Sequence, residues 1–429
     1  MPATAPKLTL LPDLLEEHLE ELAFLWALRQ NILRSRQDQV RHLRQFEDRI
    51  EAHTQGLLLA GAGLPAAVEP ALSSADSSEA FAAAYSLLRN PDPPFDETVM
   101  AVFSTAKPAA FKGITEALAH AAPRRVLEKM LPVMKSDGGA LGVAAAEIFA
   151  FHQLGDGREY GLSRFIEHDD AAVRAAGWRV AGLLAFPMDS KMYARGLRDD
   201  DPNVRRESMY AAAWSKQLGI LTYCRQAVRK PAPHQIEVMR LLAILGTLED
   251  LPLILACGGN VELGPVRFAI LASYGHPSVV GLILDALSDK DPVTAVAAAE
   301  AFTTMTGADI RSQETAEVPL DSADSADDEF AAEFTAPVVL PDVGRAVAHW
   351  KQVAPALETA LHIGAGVDLS RSPQVPADAS LASRWEAAIR SRFRGEWSGR
   401  PVQLELLRGP QERRAPGDQK VPRERTSRG

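Results

Sequence analysis

Only two cysteines, Cys224 and Cys257, occur in 429 residues. No disulfide framework can hold such a fold, and a reducing compartment is expected. No stretch reaches the roughly 18 consecutive apolar residues that a membrane helix needs. The longest candidate, Gly56 to Val68, is short and contains Pro65. Positive charge is also in deficit: 46 Lys and Arg stand against 56 Asp and Glu, a net charge of −10, which disfavours a general nucleic-acid coat. The opening MPATAPKLTLLPDLLEEHLEEL has no basic segment followed by a clean apolar core, so no secretory signal is expected. The apolar share of 46% and charged share of 24% are ordinary for a folded, soluble chain.

Motifs for chemistry are absent as well. There is no Gly-x-Ser-x-Gly, Walker A loop, Cys-x-x-Cys or dinucleotide fingerprint. Gly61-Ala62-Gly63 and Gly364-Ala365-Gly366 read as helix stops, since no strand pattern precedes either. None of the ten histidines is followed by Glu. Glu147 and His152 are five apart, on different faces of a helix, and Glu167-His168 is a reversed dyad with no second copy. No metal site, cofactor or catalytic residue is therefore expected. Cys224 and Cys257, 33 residues apart, read as core residues.

What the chain does have is a period. Ala-rich helical segments begin at Phe81, Ile114, Val143, Val173, Val204, Ile236, Val266 and Val293, at spacings of 33, 29, 30, 31, 32, 30 and 27 residues. The segment before each anchor is itself apolar at helical spacing, as in Val279, Val280, Ile283, Leu284 and Leu287. Turn chemistry separates the two: HDDAA at 168–172, DDDPN at 199–203, KPAPH at 230–234 and DKDPV at 289–293. Asp at a helix start accepts from free amides, and Pro at the first helical position lacks only an N–H that would be unpaired anyway. Each unit of about 30 residues is thus helix, Asp/Pro turn, helix, with no room for strands. The fold class is all-α.

Asp169-Asp170-Ala171-Ala172-Val173-Arg174 and Asp201-Pro202-Asn203-Val204-Arg205 resemble the HEAT-repeat signature in a short, 30-residue form. The resemblance covers residues 75–308. It implies a right-handed α-solenoid in which turn Asp and following Arg pair between neighbouring repeats. Two departures limit that ladder to the middle: Arg267 lacks a matching Asp, and Asp291 is followed by Thr294 instead of Arg. HLEELAFLWALRQ (18–30), AAEAFTTMTG (298–307) and RWEAAIRSRFRGEWSG (384–399) further resemble an uncharacterised proteobacterial HEAT-repeat family. That family is often encoded beside type VI secretion components, which implies an accessory or adaptor role in the bacterial cytoplasm.

The flanks read differently. Residues 1–74 hold two charged helices, Leu14 to Leu33 and Val40 to Ile50, an N-terminal hairpin that would cap the first repeat's apolar face. Residues 309–335 carry nine acidic residues and one basic residue, the pattern of a disordered loop. Residues 336–400 form a C-terminal helical cap with Trp385, Ile389 and Phe393 on one stripe, and 401–429 a basic, disordered tail. In a HEAT-like array the helix after each Asp turn lines the concave side. Candidate contacts there are Arg174, Trp178, Arg179, Arg205, Arg206, Tyr210, Trp214, Arg240, Arg267 and Tyr274, residue types enriched in binding hot spots. A protein or peptide partner on this face, with no enzymatic activity, is the expectation. The alternative is a nucleic-acid binder that uses the same arginines.

Overall fold

A computed structural model describes residues 12–35, 38–91, 94–155, 157–319, 335–369 and 379–402. Twenty α-helices account for most of the described residues, with four short strands. The basic segment 403–429 lies outside the described residues. No single helix among the described residues is long and apolar enough to cross a membrane. The chain divides into two compact units at Ser215/Lys216, inside the stretch 75–308, with Ser35–Gln39 grouped with the second unit.

The first unit opens with α1 (Pro12–Arg34) packed on α2 (Val40–Leu58). Trp26 of α1 is 1% exposed and stacks on Phe81 with ring centroids 3.6 Å apart. Its indole N–H donates to Glu116 Oε2 at 2.8 Å, so one side chain ties the N-terminal helix to the next two layers. After α3 (Leu64–Val68) the unit continues with α4 (Ser77–Arg89), α5 (Asp96–Phe103), α6 (Pro108–Ala121), α7 (Arg124–Ser136), α8 (Ala140–Phe151), α9 (Ser163–Ile166), α10 (Ala171–Leu184), α11 (Ser190–Gly196) and α12 (Pro202–Trp214). α4 packs on α6, α6 on α8, α8 on α10 and α10 on α12, while α5, α7, α9 and α11 each pack on the helix that follows. Alanine runs such as Ala82–Ala84, Ala144–Ala146 and Ala211–Ala213 are buried at these crossings, where small side chains let helix axes approach. Gly113 marks the tightest crossing: a Cβ there would lie 2.1 Å from the Ser77 carbonyl oxygen.

The second unit holds α13 (Gly219–Ala227), α14 (Ile236–Leu245), α15 (Leu251–Gly259), α16 (Val266–Tyr274), α17 (Val280–Ala286) and α18 (Pro292–Thr306). α14 packs on α16 and α16 on α18. The expected caps are formed. Asp170 accepts from the Ala172 amide at 2.8 Å, Asp201 from Asn203 and Val204 at 2.8 and 3.0 Å, and Asp291 from Val293 and Thr294 at 3.2 and 3.1 Å. Pro202 and Pro292 occupy the first helical positions.

Outside the repeats the described residues also hold four short strands, within a fold that is mostly helical as expected. β1 (Arg311–Pro319) pairs antiparallel with β2 (Thr335–Pro341), with Thr315 opposite Val339 and Pro319 opposite Thr335. These strands take both ends of the segment read as a disordered acidic loop. Its centre, 320–334, lies outside the described residues. Acidic charge counted over the whole segment hid short alternating runs at its edges, where Ala316 and Val318 turn inward between exposed Thr315 and Glu317. α19 (Val343–Leu357) follows, its start capped by Asp342. The Gly364-Ala365-Gly366 run is also no helix stop. It joins β3 (Ile363–Gly364) to β4 (Val367–Asp368), and Ala365 and Gly366 both have positive φ, 48° and 78°, the geometry of a tight hairpin turn. The last described helix is α20 (Leu381–Arg394), which packs on α14.

Candidate partner-binding face

In the first unit the candidates divide into ties, core and surface. Arg174, second residue of its repeat anchor, forms a bidentate pair with Asp199 at 2.8 and 2.9 Å and donates to the carbonyls of His168 and Asp169 at 2.9 and 2.7 Å. Arg205 makes the same backbone contacts in the following repeat, donating to the carbonyls of Asp199 and Asp200 at 2.6 and 2.8 Å. Both arginines therefore fasten the turn that precedes their own helix, and Arg174 adds a link to the next turn. The Arg174 guanidinium holds the Asp199 carboxyl below its usual range. Trp178 is 1% exposed and Trp214 5%, so both serve the core. A ring at those positions faces inward, five residues and ten residues after the anchors Val173 and Val204.

Three candidates remain at the surface of this unit. Arg179 is 44% exposed and sits 3.0 Å from Glu147 of α8 and 3.8 Å from Glu207 of α12. Arg206 is also 44% exposed and pairs with Glu207 at 2.8 Å. Tyr210 is half-buried beside them on α12. Three successive long helices are thus linked across one face by Glu147, Arg179 and Glu207. The two glutamates were missed in the sequence, though their register was visible: Glu147 is four residues after Val143 and Glu207 three after Val204, which is one helix face.

In the second unit the same face is covered by the chain itself. Arg240 of α14, four residues after its anchor, lies 3.3 Å from Glu386 of α20. Ser273 of α16, seven after its anchor, donates to the same Glu386 oxygen at 3.0 Å. One turn on, Arg390 is buried and donates to the carbonyls of Ile244 and Ser273, both at 2.8 Å. These carbonyls belong to the last turns of α14 and α16, where helical acceptors have no partner of their own and the helix dipole favours a cation. Burial pushes the Arg390 guanidinium down to about 10, against the pull of Glu386. His362, just before β3, closes a third helix-end carbonyl: its Nδ1 donates to the Tyr274 carbonyl at 2.7 Å. Complete burial holds that imidazole well below its usual range, so it is neutral near pH 7.

Tyr274 is 5% exposed, its hydroxyl donating to the Thr247 carbonyl at 2.8 Å, and burial lifts the phenol to about 12. Arg267 donates to the Gly264 carbonyl at 3.0 Å and lies over the Phe268 ring. Arg240, Arg267 and Tyr274 are thus engaged within the unit. The missed residues Glu386, Arg390 and His362 lie more than 80 positions from what they touch, and no local pattern announces them. Cys224 and Cys257 are buried free thiols, and burial raises Cys257 to about 11. Compared with protein-family models and with curated proteins, the chain matches none.

Proposed function

We propose that the chain is a HEAT-like scaffold that takes an amphipathic helix of a protein partner on the second helices of its repeats. Within each unit the repeats stack in the right-handed sense of an α-solenoid, and the N-terminal hairpin caps the first of them. The supporting observation is internal. In the second unit a helix, α20, already lies on α14 and packs its Glu386 and Arg390 against Arg240, Ser273 and two helix-end carbonyls. Repeats that accept a helix from their own chain are built to accept one from another. The corresponding face of the first unit offers Arg179, Arg206 and Tyr210 together with Glu147 and Glu207. Its charges are of both signs, which suits a helix carrying Glu and Arg in alternate turns better than a phosphate backbone. An accessory place beside a type VI secretion apparatus is the setting suggested by the proteobacterial resemblance.

A photo-crosslinking residue in place of Tyr210, in the full chain in its native cells, tests this reading. A discrete protein adduct is expected that is absent when the same group replaces exposed Glu128 on α7. Arg179→Glu with Arg206→Glu should diminish the adduct about tenfold while leaving the helical circular dichroism unchanged. Adducts to nucleic acid, or equal adducts from both positions, would refute it.

A further inference from the structure

The N-terminal hairpin places two histidines against each other. His18 of α1 and His53 of α2 meet with their Nδ1 atoms 3.1 Å apart and their rings edge to face at 73°. They are 35 residues apart and come from opposite helices. Both side chains are half-buried, so solvent can reach the pair. Room for it is made by Gly56, one turn beyond His53: a Cβ there would lie 2.5 Å from His18 Nε2 and 2.6 Å from its Cδ2. Any other residue at position 56 would push the His18 ring away from His53.

We propose that His18 and His53 are a two-histidine chelate for a divalent transition metal of the zinc, nickel or copper class, which pins α1 to α2. The spacing carries the argument. Two nitrogens about 2.0–2.1 Å from one zinc ion at the tetrahedral angle stand about 3.3–3.4 Å apart, and at a right angle about 2.9 Å. The observed 3.1 Å falls between those values, so the two nitrogens already stand at a chelating separation, and ring rotation aims both at one ion. Without the ion, one Nδ1–H donates to the other Nδ1. When the ion binds, the donating ring moves its proton to Nε2, and no net charge is lost. Neutral imidazole is the ligand form such metals take.

The charges around the pair are mixed in sign. Glu17 and Glu21 on α1 act on His53 as negative charges, and Arg49 on α2 opposes them while lying 3.6 Å from Glu21. Burial, then His18, lowers the His53 imidazole below its usual range. No cluster of three or more His, Cys, Asp or Glu suited to a metal occurs among the described residues. Water therefore completes the coordination, and the ion stays exchangeable.

The test uses the tag-free full chain, stripped with chelator and titrated with zinc chloride by calorimetry at about pH 7.5, with cobalt absorption as a second readout. One ion per chain is expected. His18→Gln and His53→Gln should each weaken binding about tenfold or more, and binding should weaken at acid pH, where protons compete with the ion for the ring nitrogens. Gly56→Ala keeps both ligands but should weaken binding comparably by displacing His18. Far-UV circular dichroism checks that each variant is folded. If either histidine variant does not fold, the other and Gly56→Ala decide the matter. Unchanged binding in the folded variants, or no binding at millimolar zinc, would overturn the assignment.

Discussion

Arg390→Met is the perturbation that most directly asks what holds α20 on the repeats. The substitution keeps an apolar stem of similar length and removes only the guanidinium. Two buried carbonyls, of Ile244 and Ser273, lose charge-assisted bonds of about 1.5–3 kcal/mol each. Set against this is the relief of a buried charge. A guanidinium driven from 12.5 to about 10 carries a penalty of about 3 kcal/mol. Glu386 then loses a nearby positive charge but keeps Arg240 and Ser273. The balance is a net loss of up to about 3 kcal/mol, confined to the second unit. Hydrogen exchange followed by mass spectrometry is the suitable assay, because it reads each unit separately. Amides of α14, α16 and α20 should exchange faster, by up to about 100-fold, while those of α4 to α10 stay unchanged. Equal or slower exchange in the variant would mean that desolvation outweighs the two caps, and would refute this account of α20.

Two further predictions concern the first unit. Asp199 has its carboxyl lowered from 3.8 by Arg174, so its contribution is complete above pH 3.8 and is lost as pH falls through the lower, folded-state value. Asp199→Asn should therefore flatten the acid limb of stability below about pH 4 in urea melts. An unchanged acid limb would show that the pair contributes nothing there. Gly113→Ala should destabilise this unit by about 1–3 kcal/mol or more, because its Cβ meets backbone. Gly63→Ala, which meets nothing within 4 Å, is the control, and equal melting temperatures for the two would count against the close crossing of α4 and α6.

The sequence alone determined the helices of the repeats, several of their caps and their period. Those features are local. An Asp cap bonds amides two or three residues on, as Asp201 does with Asn203 and Val204, and the apolar spacing within one helix is enough to reveal it. The Arg174 and Arg205 ties to the turns five and six residues back belong to the same class. Tertiary structure decided which side of each helix is free. Trp178 and Arg179 are neighbours in sequence, yet one is 1% exposed and the other 44%, because the ring meets the layer behind while the guanidinium spans α8 and α12. Arg240 looked like an open contact until α20 arrived from 146 residues away to cover it. The pairing of β1 with β2 and of His18 with His53 has the same origin. Caps and periodicity need only neighbours along the chain, whereas exposure and side-chain pairing are set by what packs there from a distance.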